Sequence, residues 1–227
     1  MKTEAIVASA GSGKRLKGRI RKPYLALCGK PIIIRTLEAL SASKKIDGIV
    51  VVVNRRDQKR CAGLIKKYRV RKVKKIIPGG AERSDSVLRG LGSLDGDTDL
   101  VVIHDGVRPF ISGALIDRSI DAAKRFGAAV VGVPVVSTIK EVDGNCRIVS
   151  TPQRNRFWFS QTPQVFRKEL ILRGYRKSAR DGFYSTDDSA YVERLGIKVR
   201  LIEGSYGNIK ITTKEDLEIA KELVRCG

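Results

Sequence analysis

Residues 100–135 read LVVIHDGVRPFISGALIDRSIDAAKRFGAAVVGVPV. Two Val-rich runs, LVVIHD and AAVVGVPV, flank GALIDRSIDAAKRF, in which the apolar positions recur at helical spacing. Strand, helix and strand in that order specify an α/β chain with a largely parallel sheet. The same rhythm extends toward the N-terminus. EAIVAS, GIVVVV and VKKII read as strands, and IIIRTLEALSAS and RSDSVLRGLGSL read as the helices between them. After Pro134 the rhythm breaks: STIKEVDGNCRIVST has two strand-like arms about Asp143-Gly144, the signal of a hairpin that leaves the sheet. Helical segments near 168–180 and 186–195, a strand at IKVRLIE and a closing helix from Lys214 complete the chain.

The 227 residues suit one domain, with a β-arm subdomain at about 136–156. At 42% apolar and 30% charged residues, composition excludes a disordered or fibrous protein. The opening MKTEAIVASAG has an acidic residue and too short an apolar run for a signal peptide, and no later stretch approaches 18 uninterrupted apolar residues. The expected location is the cytoplasm, with no membrane partner. Four cysteines (Cys28, Cys61, Cys146 and Cys226) without CxxC spacing, and a single histidine, His104, make no familiar zinc site.

A net charge of +21 invites a nucleic-acid reading, above all through KKYRVRKVKK at 66–75. Aromatic residues for base stacking are not interleaved with those cations, however. Alternating Lys, Arg and Val also describes a solvated edge strand behind a helix, whose charges discourage edge pairing. On this reading no nucleic-acid partner is expected.

In such sheets ligands lie beyond the carboxyl ends of the strands. ASAGSGKRLKGRIRKP, which follows the first strand, lacks the third glycine of a dinucleotide fingerprint and the GK[ST] of a Walker loop. It is either a tight strand-to-helix connection or a glycine turn whose N–H groups face phosphate, with Lys14, Arg15 and Lys22 as fixed cations. Asp105 and Arg108, after the fourth strand, either hold Mg²⁺ and an anion or form an Asp-Gly turn with its own salt bridge. His104 and Asp105 are neighbours in a strand and no GxSxG nucleophile exists, so a hydrolase triad is excluded and His104 reads as a packing residue. GGAERSDSVLRGL suits either helix capping or the reading of a base edge. STIK, TPQR, QTPQVF and YSTDDSA gather small hydroxyls around Arg154, fit for a phosphorylated polyol or for ordinary loops. GNIKITTKEDL sets Lys210 before a helix that Thr212 or Thr213 caps.

Taken in order, AGSGKRL, KPYLALCGKPI, GGAERSDSV, VIHDGVRPF, STIKEVDG, QTPQVF, STDDSA and GNIKITTKEDL resemble the 2-C-methyl-D-erythritol 4-phosphate cytidylyltransferase family over about residues 5–220. The resemblance implies a Rossmann-like three-layer nucleotidyltransferase fold, mostly parallel, with a protruding β-arm that interlocks a homodimer. It implies Mg²⁺ and transfer of CMP from CTP to the polyol phosphate. Carried over by motif, Arg15, Lys22 and Lys210 are the catalytic cations, and Ala10, Gly11, Gly13, Gly80 and Ser86 line the nucleotide site. Asp105 holds the metal, and Arg108, Thr138, Arg154, Thr162 and Thr186 surround the second substrate. Three positions depart from the family pattern. Arg21-Lys22-Pro23 replaces PKQ, so the second cation falls on Lys22 by spacing and on Arg21 if the register slips; Ser137 replaces Asp before the arm threonine; Ala81 replaces an acidic residue after the Gly-Gly turn. A ribitol 5-phosphate cytidylyltransferase shares the CTP loop and the metal, and differs mainly in its polyol contacts.

The chemistry needs these residue types. A phosphate monoester with a second pKa of about 6 is mostly ionised at neutral pH and requires no general base. The two substrates bring roughly six negative charges against two from Mg²⁺, so several fixed cations must meet them.

Overall fold

The computed structural model describes residues 1–11 and 20–225. In chain order the elements are β1 (Thr3–Ser9), β2 (Ala26–Leu27), β3 (Lys30–Pro31), α1 (Ile32–Ala42), β4 (Gly48–Val53), α2 (Gln58–Lys67), β5 (Val73–Pro78), α3 (Arg83–Ser93), β6 (Leu100–Asp105), α4 (Gly113–Phe126), β7 (Ala128–Pro134), β8 (Glu141–Val142), β9 (Ile148–Ser150), β10 (Trp158–Arg167), α5 (Lys168–Arg180), α6 (Ser189–Glu193), β11 (Arg200–Glu203) and α7 (Lys214–Arg225).

Seven strands form one sheet in the order β11-β7-β10-β6-β1-β4-β5, with β10 antiparallel to both of its neighbours and every other pairing parallel. Side chains alternate across it. On one face Ala5, Val7, Val51 and Val102 pack against Leu37 and Leu40 of α1, Cys61 of α2 and Ile116 and Ile120 of α4. On the other, Ile6, Val50, Val52 and Ile103 meet Val87 and Leu91 of α3, Ile171 and Tyr175 of α5 and Tyr191 of α6. The three layers expected from the sequence are therefore present. Because both faces are covered, β4 and β6 are buried along their whole length, which is why they read as unbroken apolar runs.

The helix ends follow local chemistry. The Ser112 hydroxyl accepts from the Leu115 N–H to cap α4, and Gly127, at φ +84°, closes it in the left-handed region where glycine carries no Cβ penalty. The basic stretch 66–75 is the end of α2, a turn and the edge strand β5, as the solvated-edge reading expects. Its Lys74 is tied to the buried Glu4 at 2.8 Å and to Asp95 at 2.7 Å. Cys28, Cys61 and Cys146 are free thiols. Among the described residues no helix is long and apolar enough to cross a membrane.

The arm leaves after Pro134 as the short hairpin β8–β9, turning at Asp143 to Cys146. It exposes Val136, Val142, Ile148 and Val149, and Phe157 and Phe159 at its root are exposed too.

Beside the short pair β2–β3, one strand of the main sheet was not legible in the sequence. QTPQVF, expected as a hydroxyl-bearing loop, belongs to the ten-residue β10, whose register against β7 shifts between Ser160 and Gln164. Pro163 falls inside that shift, after a cis bond to Thr162, so the missing N–H interrupts no ladder pairing. The helix expected at 186–195 is the single turn and a half of α6, and the last strand begins only at Arg200.

Candidate active site

Going outward from β1, the chain adds β4 and β5 on one side and then returns to place β6 on the other. A crevice opens where strand order reverses, at the carboxyl ends of β1 and β6. Here it is a cleft of about 610 Å³. Ala10 and Gly11 leave β1 along one wall, Gly80 and Ser86 come from the turn into α3, and Lys22, Asp105, Thr186 and Lys210 face the same space. Arg15 and Gly13 lie outside the described residues.

The Gly-Gly turn is a matter of clearance. A Cβ on Gly79 would overlap the Ala10 side chain and lie 2.6 Å from Ser86 Oγ, so glycine lets the α3 turn sit against the end of β1. Gly80 N–H donates to Ser86 Oγ at 3.1 Å, and that hydroxyl donates to the Glu82 carbonyl at 3.1 Å. Glu82 and Asp85 cap α3 reciprocally. Of the two readings left open for this segment, capping is realised, and Ser86 borders the cleft with its hydroxyl held locally.

Asp105 is the electrostatic centre. Its Oδ2 lies 3.0 Å from Lys210 Nζ and 3.4 Å from Arg108 Nε, and its Oδ1 lies 3.3 Å from Arg83 Nε. Burial alone would push this carboxyl up, but the charges of Lys210, Arg83 and Arg108 overcome it and hold Asp105 well below the usual carboxylate range. It is therefore a permanent anion ringed by cations. Among the described residues no three His, Cys, Asp or Glu side chains gather as a metal cage. One carboxylate nevertheless suits Mg²⁺, which takes one or two protein carboxylates and fills its shell with waters and substrate phosphates.

Contacts separate the two adjacent basic residues. Arg21 turns to Asp57, Nη1 to Oδ2 at 2.6 Å, whereas Lys22 borders the cleft with its Nζ 3.4 Å from the Thr212 carbonyl. Lys210 is anchored from both sides: Ile211 N–H donates to the Val107 carbonyl, and the buried Asn208 donates to Gln161 Oε1 and the Thr162 carbonyl. Thr213 and Asp216 then cap α7 reciprocally.

Two residues expected around the polyol make buried contacts within the protein. Arg108 is buried and donates from Nη1 to the Asn208 carbonyl at 2.7 Å. The buried Thr162 hydroxyl accepts from Asp105 N–H at 3.1 Å and lies 3.0 Å from His104 Nδ1. His104 Nε2 is 3.1 Å from the Arg108 carbonyl, which can only accept, so Nε2 carries the proton and Nδ1 accepts from Thr162. Burial pushes this imidazole down to about 4, so it stays neutral. Arg108 and Thr162 thus brace Asp105 instead of bordering the cleft, and His104 is the packing residue the sequence suggested. Thr138 and Arg154 sit on the exposed arm, away from this chain's own cleft, with Arg154 Nη1 donating to the Val136 carbonyl.

Arg83 was missed. It lines the cleft and reaches Asp188 Oδ2 at 2.6 Å as well as Asp105. At the first turn of a helix beside capping residues, an arginine carries no pattern that distinguishes it from a solvated one.

Residues 3–226 match the family model described as IspD: 2-C-methyl-D-erythritol 4-phosphate cytidylyltransferase. The chain is 45% identical to the protein of that name from Desulforamulus reducens, over 97% of this chain and 95% of the relative. It is 42% identical to the one from Caldanaerobacter subterraneus subsp. tengcongensis, over 99% and 100%. A crystal structure of a 4-diphosphocytidyl-2C-methyl-D-erythritol synthase from Anaerococcus prevotii superimposes with a TM-score of 0.88 at 34% identity, covering 99% of this chain and 96% of that one.

Proposed function

The chain belongs to the 2-C-methyl-D-erythritol 4-phosphate cytidylyltransferase family, and from that premise we propose how its residues share the work. The enzyme transfers CMP from CTP to 2-C-methyl-D-erythritol 4-phosphate and releases pyrophosphate, a step of isoprenoid precursor synthesis. The observation that carries the division of labour is the meeting of Lys22, Lys210 and Asp105 with the Gly11 and Gly80 turns in one cleft.

The glycine turns seat the nucleotide, with Ala10, Gly11 and Gly80 bringing the backbone close and Ser86 closing the wall. Lys22 and Lys210 line the path of the α-phosphorus, where negative charge grows as the monoester oxygen enters and pyrophosphate leaves, and the family resemblance assigns Arg15 the same charge role. Lys210 exchanges its contact with Asp105 for a phosphate oxygen as the triphosphate arrives. Asp105 would hold Mg²⁺, which would supply positive charge against the substrate phosphates. Arg108 and Thr162, by fixing Asp105 from below, act through it. Thr186 contacts the polyol phosphate, and Thr138 and Arg154 reach it from a second copy of the chain, since a homodimer would cover the apolar arm. The reading assigns the enzyme to the cytoplasm, the compartment that holds nucleoside triphosphates.

The test is pyrophosphate release from CTP and Mg²⁺ over a panel of polyol phosphates. Turnover with 2-C-methyl-D-erythritol 4-phosphate well above ribitol 5-phosphate is expected, and equal or reversed preference would overturn the substrate.

A further inference from the structure

In the wall of the cleft, one guanidinium joins three elements. Arg83 is the first residue of α3, and the reciprocal Glu82–Asp85 cap fixes the backbone from which it projects. Its Nη1 donates to Asp188 Oδ2 at 2.6 Å and approaches the Thr186 carbonyl at 3.4 Å, while its Nε reaches Asp105 Oδ1 at 3.3 Å. Asp188 is 0% exposed. Its other oxygen accepts from Tyr175 OH at 2.8 Å, and Tyr175 stacks on Tyr191 with ring centroids 4.2 Å apart. The Tyr191 hydroxyl donates to the Ser185 carbonyl and accepts from the Ser185 N–H. The segment 185–188 is thereby gripped at both ends, and its link to β6 is Arg83.

We propose that Arg83 is a positioning residue that clamps the Thr186–Asp188 segment to Asp105 and so fixes the distance between the polyol-phosphate wall and the carboxylate that would hold the metal. The proposal rests on the reading of Asp105 and Thr186 given above. Its logic is geometric. Thr186 sits on a loop, and a loop residue keeps catalytic register only when something rigid holds it. A planar fork with several donors spans two carboxylates and a carbonyl, which a single ammonium does not. The charge of Arg83 is already shared between Asp105 and Asp188, so it is spent on the scaffold. Asp188 is fully buried and bonded to Arg83 and Tyr175, so it acts on turnover through these two side chains and not by touching a substrate.

The experiment compares Arg83→Lys, Asp188→Asn, the double variant and Tyr175→Phe in the full-length enzyme. Pyrophosphate-release kinetics are measured for both substrates, with CTP titration and thermal melting alongside. Arg83→Lys and Asp188→Asn should each lower kcat/KM for the polyol phosphate by about 10- to 100-fold, the scale of a small misplacement of a reacting group. KM for CTP should stay within about threefold, and the double variant should match the worse single one, because both break the same clamp. Tyr175→Phe removes one hydroxyl and should raise KM for the polyol phosphate severalfold with the fold intact; it decides the matter if Asp188→Asn does not fold. Wild-type kinetics in a folded Asp188→Asn or Tyr175→Phe enzyme would overturn the clamp. So would losses that multiply in the double variant, or a loss that falls on CTP, which would make Arg83 a direct nucleotide contact. Absence of CTP turnover in the unmodified enzyme would sink the reading of the site itself, a separate outcome.

Discussion

Lys210 Nζ lies 3.0 Å from Asp105 Oδ2, and of the two side chains the lysine is the solvent-facing one, 38% exposed against 7%. The anion is fixed and the cation can swing. An ammonium held at the cleft by a fixed anion can turn toward a substrate phosphate without opening a buried charge to water, which is the exchange proposed above.

Replacing Lys210 with Met should lower kcat by at least about a hundredfold, the usual loss when a preorganised charge partner of the transition state is removed. Arg83 and Arg108 still hold Asp105, so the fold survives. A folded Lys210→Met enzyme with kcat within a few-fold of the original would remove Lys210 from the chemistry.

Arg21 and Lys22 are adjacent basic residues with different fates, one bound to Asp57 at 2.6 Å and the other bordering the cleft. Lys22→Met should again lose at least about a hundredfold in kcat. Arg21→Met removes a partly exposed ion pair worth about 1 kcal/mol or less, so its turnover should stay within a few-fold. Steady-state kinetics of the two variants, side by side, read the register, and the reverse ranking would shift the catalytic cation to Arg21.

His104 gives the chain a specific acid sensitivity. Unfolded, its imidazole protonates near its ordinary value of 6.5; folded, burial holds it down to about 4. Below pH 6.5 the unfolded state binds the extra proton, so the stability contributed by His104 is complete above pH 6.5 and lost as pH falls toward 4. The loss is up to about 3 kcal/mol. Asp105 adds no slope in this window, since a carboxyl held below its usual range loses its contribution only below about pH 4. With one histidine in the sequence, His104→Gln should flatten the dependence of Tm on pH between 6.5 and 4.5 whatever it does to stability at pH 7. A wild-type Tm that is level across that range would refute the assignment.

The α/β fold was legible because strands buried on both faces must be continuous apolar runs, and GIVVVV and LVVIHD are. The strand β10 was not, because its polar Ser160, Thr162 and Gln164 bond Asp187 and the Asp105 backbone, and Gln161 bonds Ser205 and Asn208, rather than forming a packed apolar face. The cleft residues at strand ends, Gly11, Gly80 and Asp105, could be named from position and type. What Arg108 and Thr162 do could not: sequence gives a donor or a hydroxyl, and only the neighbours it meets decide between a ligand and a buttress. Arg83 escaped for the same reason, its partner Asp188 lying 105 positions away.

The arm carries the last prediction. Val136, Ile148 and Val149 are each more than 60% exposed, and Phe159 at the root is 56% exposed, an apolar surface that a single copy leaves in water. A second copy is the simplest cover, and Thr138 and Arg154 then approach the cleft of the partner rather than their own. Two inactive variants should therefore repair each other: Lys22→Met damages the cleft of its own subunit, whereas Arg154→Met damages that of its neighbour. After subunit exchange half the dimers are hybrids, and one of the two sites in each hybrid has both residues intact, so about one quarter of the original activity should return. If Lys22 and Arg154 serve the same subunit's site, every site keeps a lesion and no activity returns. Mass measurement that finds hybrids in a mixture that stays inactive would end the shared-site reading and leave the arm a clasp between subunits.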